Sequence, residues 1–84
     1  MKYYFITFRS VTHAQRGERL LTGAGIRCRL LRTPRWMEEQ GCGYCLRLWC
    51  ADPENGLALL RSNRIPMRKI YVQSDEGQLE EILA

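Results

Sequence analysis

Residues 2–25 read KYYFITFRSVTHAQRGERLLTGAG and divide into two segments with different residue patterns. Residues 2–9 are rich in aromatic and β-branched side chains, which is typical of a strand. Ser10 follows, and its hydroxyl can accept a free amide in the first turn of a helix. Apolar residues then recur at helical spacing as far as the glycines at 23–25, where the helix should end. Gly17 interrupts this helix, and we expect it to allow close packing on the sheet.

The sequence after residue 25 predicts three more strands and a second helix. Residues 26–32 and 44–51 alternate apolar and polar side chains, as half-buried strands do. Asp52 is a good helix cap, and Pro53 suits a first helical position. The predicted elements are strands at 26–32, 44–51 and 67–73, a helix from Asp52 to about Asn63, and a short terminal helix at 78–84.

The order of these elements is β-α-β-β-α-β, apart from the terminal helix. This order matches a ferredoxin-like α+β sandwich, in which a four-stranded antiparallel sheet carries both helices on one face. Right-handed β-α-β connections leave few alternatives. The length suits one modest core, so we expect residues 1–84 to form a single α+β domain.

The basic charge is carried almost entirely by arginine. The net charge is +4, and eleven of the thirteen basic residues are arginine, which binds planar anions at two points. Because the excess is modest, we interpret it as a solvated surface and do not expect nucleic acid as a partner. The apolar run at residues 3–8 is too short for a signal peptide or a membrane span. We therefore expect a cytoplasmic protein that does not bind membranes.

Candidate chemistry lies at Cys42-Gly43-Tyr44-Cys45. The predicted topology places residues 33–43 at the end of the sheet where the first helix begins. Free helix amides and guanidinium groups favour a thiolate over a thiol, so Cys42 is a candidate nucleophile. Cys45 is a candidate resolving thiol. The predicted stabilising groups are Arg9, Ser10, Thr12, His13, Arg35 and Gly43.

The four cysteines also allow other interpretations. A thioredoxin-like pair opens a helix, whereas here a strand pattern follows. Zinc needs four ligands, and only His13, Cys28 and Cys50 are left to complete a site, so no metal is expected within one chain. Cys28 and Cys50 lie on apolar strand faces and are best explained as buried hydrophobic residues. The Cys42 pair itself could be two ordinary thiols at a hairpin end, and His13 an ordinary first-turn residue.

The chain resembles the small bacterial domains of the putative selenium/sulfur carrier protein-like family. The resemblance covers nearly the whole chain and rests on short motifs in a fixed order. These are His13-Ala14 after the opening strand, Glu18-Arg19-Leu20-Leu21 before Ala24-Gly25-Ile26, Thr33-Pro34-Arg35, and Cys42-Gly43 before a strand. It implies a carrier of reduced sulfur or selenium on Cys42, with a donor or acceptor protein as partner. Cys45 is not part of the family pattern. No cofactor is implied, and we expect a carrier or accessory protein rather than an enzyme.

Two alternatives of other classes stay open. Ferredoxin-like sheets also bind RNA through aromatic side chains on central strands, and residues 40–47 partly match the RNA-recognition signature. Three residues do not fit that signature: Gln40, Cys42 and Arg47. We therefore rank RNA binding below the carrier function. A regulatory module that binds a small ligand at a dimer interface is the other alternative. Trp49, on the outer face of its strand, could support such a homodimer.

Overall fold

The computed structural model describes residues 1–34 and 43–82, which form two helices and five strands. The elements in chain order are β1 (Lys2–Thr7), α1 (Val11–Gly23), β2 (Cys28–Arg32), β3 (Tyr44–Cys50), α2 (Glu54–Ser62), β4 (Ile70–Gln73) and β5 (Leu79–Ile82). The predicted α+β class is confirmed.

The strands form one antiparallel sheet in the order β2-β3-β1-β4-β5. β1 lies in the middle because its aromatic and β-branched residues can be buried on both faces. Both helices pack on the face that carries Ile6, Leu46 and Leu48. The other face carries neither helix, and we call it the open face. It carries a smaller cluster around Phe5 and Tyr71.

The predicted strand count and terminal helix are both wrong. The sheet has five strands rather than four, because Leu79–Ile82 pairs with β4 instead of forming a helix. A turn at residues 74–78 produces this hairpin: the Ser74 amide donates to the Gln78 carbonyl at 2.8 Å, and Gly77 adopts a φ of 86°. The left-handed φ is accessible to glycine at little cost, so the chain reverses here and reaches the open edge of β4.

The Ser10 cap of α1 agrees with the prediction, whereas α2 begins one residue later than predicted, at Glu54, with Pro53 in the cap position. The Ser10 side chain accepts a hydrogen bond from the Thr12 amide at 3.1 Å, which makes Ser10 the cap of α1. The Asp52 carboxylate accepts the Glu54 amide at 3.0 Å, just where α2 begins.

Candidate functional site

One end of the sheet brings together the parts of the chain that carry the predicted site. Thr7, the last residue of β1, pairs directly with Cys45 near the start of β3. We call this end, where β1 ends and β3 begins, the upper end. The Thr7 carbonyl accepts the Arg68 amide at 2.8 Å, and the Thr7 hydroxyl accepts the Lys69 amide at 3.0 Å. The segment before β4 is therefore tied to the upper end as well.

Gly43 lies at the upper end, immediately before β3. Its φ is 84°, a conformation that residues with side chains rarely adopt. Its carbonyl accepts the Thr33 amide at 2.9 Å, which closes the β2–β3 hairpin beyond the last strand pair, Arg32 with Tyr44. The Arg32 guanidinium lies 5.5 Å from the centre of the Tyr44 ring.

The start of α1 supplies backbone donors at the same end. The first amides of any helix lack helical acceptors, and here only that of Thr12 is capped by Ser10. The amides of Val11 and His13 have no hydrogen bond within the described part of the chain. Arg9 is exposed beside them. The Nδ1 atom of His13 is buried without a hydrogen-bond partner among those residues. The predicted donors Arg9, Ser10, Thr12, His13 and Gly43 thus all lie at the upper end.

The two cysteines of the predicted motif differ. Cys42 and Arg35 lie outside the described residues. Cys45 is fully buried on the open face, next to Phe5 and Tyr71. It faces away from Leu46, which lies in the main core, and its thiol has no exposed surface.

Cys28 and Cys50 lie on the apolar face of the sheet, as predicted, but they are less buried than predicted. Both are half-buried against the main core on the helix face of the sheet. Burial raises the pKa of each thiol above its ordinary value because it disfavours the charged form. The nearby Asp52 carboxylate raises the Cys50 pKa further. The Glu18 carboxylate likewise raises the Cys28 pKa, so at both thiols a nearby carboxylate adds to the effect of burial.

The open face carries a second group of polar and aromatic side chains that sequence reasoning did not assemble. Tyr3 and Trp49 pair across β1 and β3, with ring centres 4.5 Å apart. They border a groove of about 480 Å³ together with three arginines. These are Arg27, Arg29 and Arg47. Alternation along each strand could have revealed the group, once the pairing of β1 with β3 was known.

Residues 1–34 and 43–82 contain no group of three or more His, Cys, Asp or Glu side chains that could hold a metal ion. No helix within the same residues is long and apolar enough to cross a membrane.

The described elements define a small α+β domain in which the start of α1 and the residues that close the β2–β3 hairpin lie at the same end of the sheet. The chain belongs to the family described as putative Se/S carrier protein-like, whose model matches residues 3–72. Neither the curated proteins nor the solved structures contain a significant match to the chain.

Proposed function

We propose that the protein carries reduced sulfur or selenium on the Cys42 thiol. One observation carries this proposal: Gly43, the residue bonded to Cys42, directly precedes β3 at the end of the sheet where β1 ends, and α1 begins four residues after β1. Family membership over residues 3–72 points to the same chemistry. A nucleophilic thiol needs its anionic form, and a helix start supplies partial positive charge to that anion.

The carrier step is a transfer of one sulfane sulfur between thiols. The Cys42 thiolate attacks the terminal sulfur of a donor persulfide, and a new S–S bond forms on Cys42. The S–S bond of the donor breaks, and the donor leaves as a thiolate. This thiolate takes up the proton that the Cys42 thiol released. One S–S bond replaces another, so there is no net oxidation or reduction. The step therefore needs neither an oxidant nor a cofactor. Selenium in the same oxidation state transfers in the same way.

The groups proposed to stabilise the Cys42 thiolate are backbone amides and guanidinium groups. Gly43 and the first turn of α1 would donate amides, with Ser10 and Thr12 fixing that turn. Arg9 and Arg35 would contribute charge, and His13, in the first turn of α1, would serve as the base. Charge-assisted hydrogen bonds to an anion are stronger than neutral ones, so these groups should lower the Cys42 pKa.

A resolving role for Cys45 stays a prediction. Because Cys45 is fully buried, this role requires the first residues of β3 to separate from β1 before the thiol can react. We also propose that residues 1–84 form one domain of the ferredoxin-like class. The strand order β2-β3-β1-β4 supports this assignment, with β5 as an addition at the edge.

The test is intact-mass measurement after incubation with glutathione persulfide and removal of excess reagent. We expect the wild-type protein to gain one sulfur atom that dithiothreitol removes. Cys42→Ser should gain none. Cys28→Ser and Cys50→Ser are the matched controls, because each removes one thiol of raised pKa and should keep the gain.

Uptake by Cys42→Ser equal to that of the wild type would refute the carrier role of Cys42. A second measurement locates the stabilising charge. Arg9→Gln should raise the pH midpoint of Cys42 alkylation, whereas Arg16→Gln, an exposed arginine further along α1, should leave it unchanged. Equal midpoints in all three proteins would exclude Arg9 from the site.

A further inference from the structure

The open face carries an aromatic pair with a cation stacked on it, away from the upper end. Tyr3 and Trp49 are half-exposed, and their ring planes meet at 44°. The Arg47 guanidinium lies 4.7 Å from the centre of the Tyr3 ring. Half-exposed aromatic faces beside a cation form a surface on which a further flat ring can stack.

The arginines of this group lie next to one another on adjacent segments of the sheet. Arg29 of β2 lies directly opposite Arg47 of β3, and the Arg27 carbonyl accepts the Trp49 amide at 3.0 Å, which extends the row. Like charges directly opposite on neighbouring strands destabilise a sheet. None of the three forms an ion pair within the part of the chain that the structure describes. An anion held between them would remove this repulsion.

Acidic side chains near the group do not neutralise it. Glu81 is the acidic residue of the open face within β5, and its carboxylate lies 3.9 Å from the Lys69 amine. Asp52 and Asp75 border the neighbouring grooves beyond Trp49 and Tyr3. The described residues therefore leave three guanidinium groups around the groove without a carboxylate partner.

We propose that this face binds single-stranded nucleic acid, with bases stacked on Tyr3 and Trp49 and phosphates on Arg27, Arg29 and Arg47. Alternate residues of a strand are about 7 Å apart, so Arg27 and Arg29 form a cationic row along the edge strand β2. Aromatic faces bordered by a cationic row are the arrangement that binds single strands without sequence preference. The groove volume of about 480 Å³ accommodates one nucleotide, and further nucleotides extend along β2.

Two other occupants fit less well. A second copy of this chain, related by a two-fold axis, would bring the same three arginines against one another, and like charges at an interface are unfavourable. A mononucleotide would stack on one ring and leave part of the cationic row without phosphate. The RNA-recognition signature at residues 40–47 did not reveal this site, because the aromatic side chains come from Tyr3 and Trp49 instead.

The test is fluorescence anisotropy with a short labelled single-stranded RNA of mixed sequence, measured over a range of salt concentrations. We expect Arg29→Gln with Arg47→Gln to weaken binding tenfold or more at low salt. The salt slope should fall by about 1.4, since each phosphate contact of a single strand contributes about 0.7. Trp49→Ala should weaken binding about fivefold or more without changing the slope, because stacking releases no counterions.

The matched control is Arg16→Gln with Arg19→Gln, which removes the same charge from exposed positions on α1. We expect it to leave RNA affinity close to that of the wild type. The arginine variants relieve repulsion and should fold normally, which circular dichroism checks. Equal weakening by the control pair, or no RNA binding by the wild type, would overturn the proposal. Competition by a mononucleotide as strong as that by unlabelled RNA would also overturn it. So would arginine variants that change the oligomeric state in sedimentation velocity but keep the RNA affinity of the wild type.

Discussion

Arg29 and Arg47 lie opposite each other on an exposed sheet face, where their repulsion lowers stability. Replacing Arg29 with glutamine removes one charge and keeps the Arg47 contact with Tyr3. We therefore expect Arg29→Gln to raise the free energy of unfolding by roughly 0.2–1 kcal/mol at low salt. Urea unfolding at low and high salt measures this gain, which should shrink as salt screens the pair. An equal gain in Arg19→Gln would mean that net charge, rather than the pair, is responsible.

The half-buried thiols of Cys28 and Cys50 should differ from Cys42 in their pH dependence. Because burial raises their pKa, less thiolate is present at any pH below that value, and alkylation should reach half its maximal rate at a higher pH than in the unfolded chain. Cys42 should shift in the opposite direction. Peptide mapping after timed iodoacetamide treatment follows each residue separately. The midpoint, rather than the maximal rate, distinguishes a changed pKa from poor access. A Cys28 midpoint equal to that of the unfolded chain would contradict the burial argument.

Helix α1 packs closely on the sheet because Gly17 has no side chain. A Cβ atom at this position would lie 3.1 Å from a Leu46 methyl carbon and 3.3 Å from one of Leu60. We expect Gly17→Val to lower the free energy of unfolding by about 1–3 kcal/mol through overpacking. Gly23→Val is the matched control in the same helix, since a Cβ there meets nothing within 4 Å. Thermal and urea unfolding of both variants measure the difference. Equal stability would show that α1 can move away from the sheet at little cost.

The edge strand β2 is protected by a side chain from α1. The Glu18 carboxylate accepts the Leu30 amide at 3.1 Å, so this amide of the sheet edge is not available to another strand. We expect Glu18→Ala to cost about 1 kcal/mol and to speed hydrogen exchange at Leu30, with Glu18→Gln intermediate. Glu80→Ala is the control, because Glu80 is exposed and has no side-chain bond among the described residues. Unchanged exchange at Leu30 in Glu18→Ala would refute the protective role.

Elements with several agreeing signals could be predicted from the sequence, and those that depend on a distant partner could not. β1 and the Ser10 cap were predictable because composition and capping chemistry act locally. Leu79 and Ile82 also fit a helical spacing, and glutamates lie between them. They form a strand because β4 offers an unpaired edge, which the residues themselves do not encode. The same limit explains the open-face group, which exists only through the register of β1 with β3.

At the scale of the whole molecule, the order of the elements predicted that the start of α1 and the residues that close the β2–β3 hairpin lie at the same end of the sheet. Both lie at the upper end because β3 runs antiparallel to both β1 and β2. The order of the elements does not predict which side chains are buried. The spacing made Cys45 a candidate resolving partner of Cys42, yet Cys45 is fully buried in a cluster with Phe5 and Tyr71. Burial depends on the side chains that neighbouring strands bring together, and spacing along the chain does not report it.

The two proposed sites occupy different ends of the sheet, which predicts that they act independently. Arg47 lies four residues along β3 from Gly43, a distance of about 13 Å, and Arg29 lies directly opposite Arg47. Effects of substitutions at such a distance usually add, and salt screens exposed charges over about 10 Å. Arg29→Gln with Arg47→Gln should therefore change persulfide uptake by less than about twofold, and Cys42→Ser should leave RNA affinity unchanged. The mass and anisotropy assays, run on both variants and on the combined variant, measure this. A loss of uptake in the arginine variant, with circular dichroism unchanged, would mean that the open face and the upper end form one coupled surface.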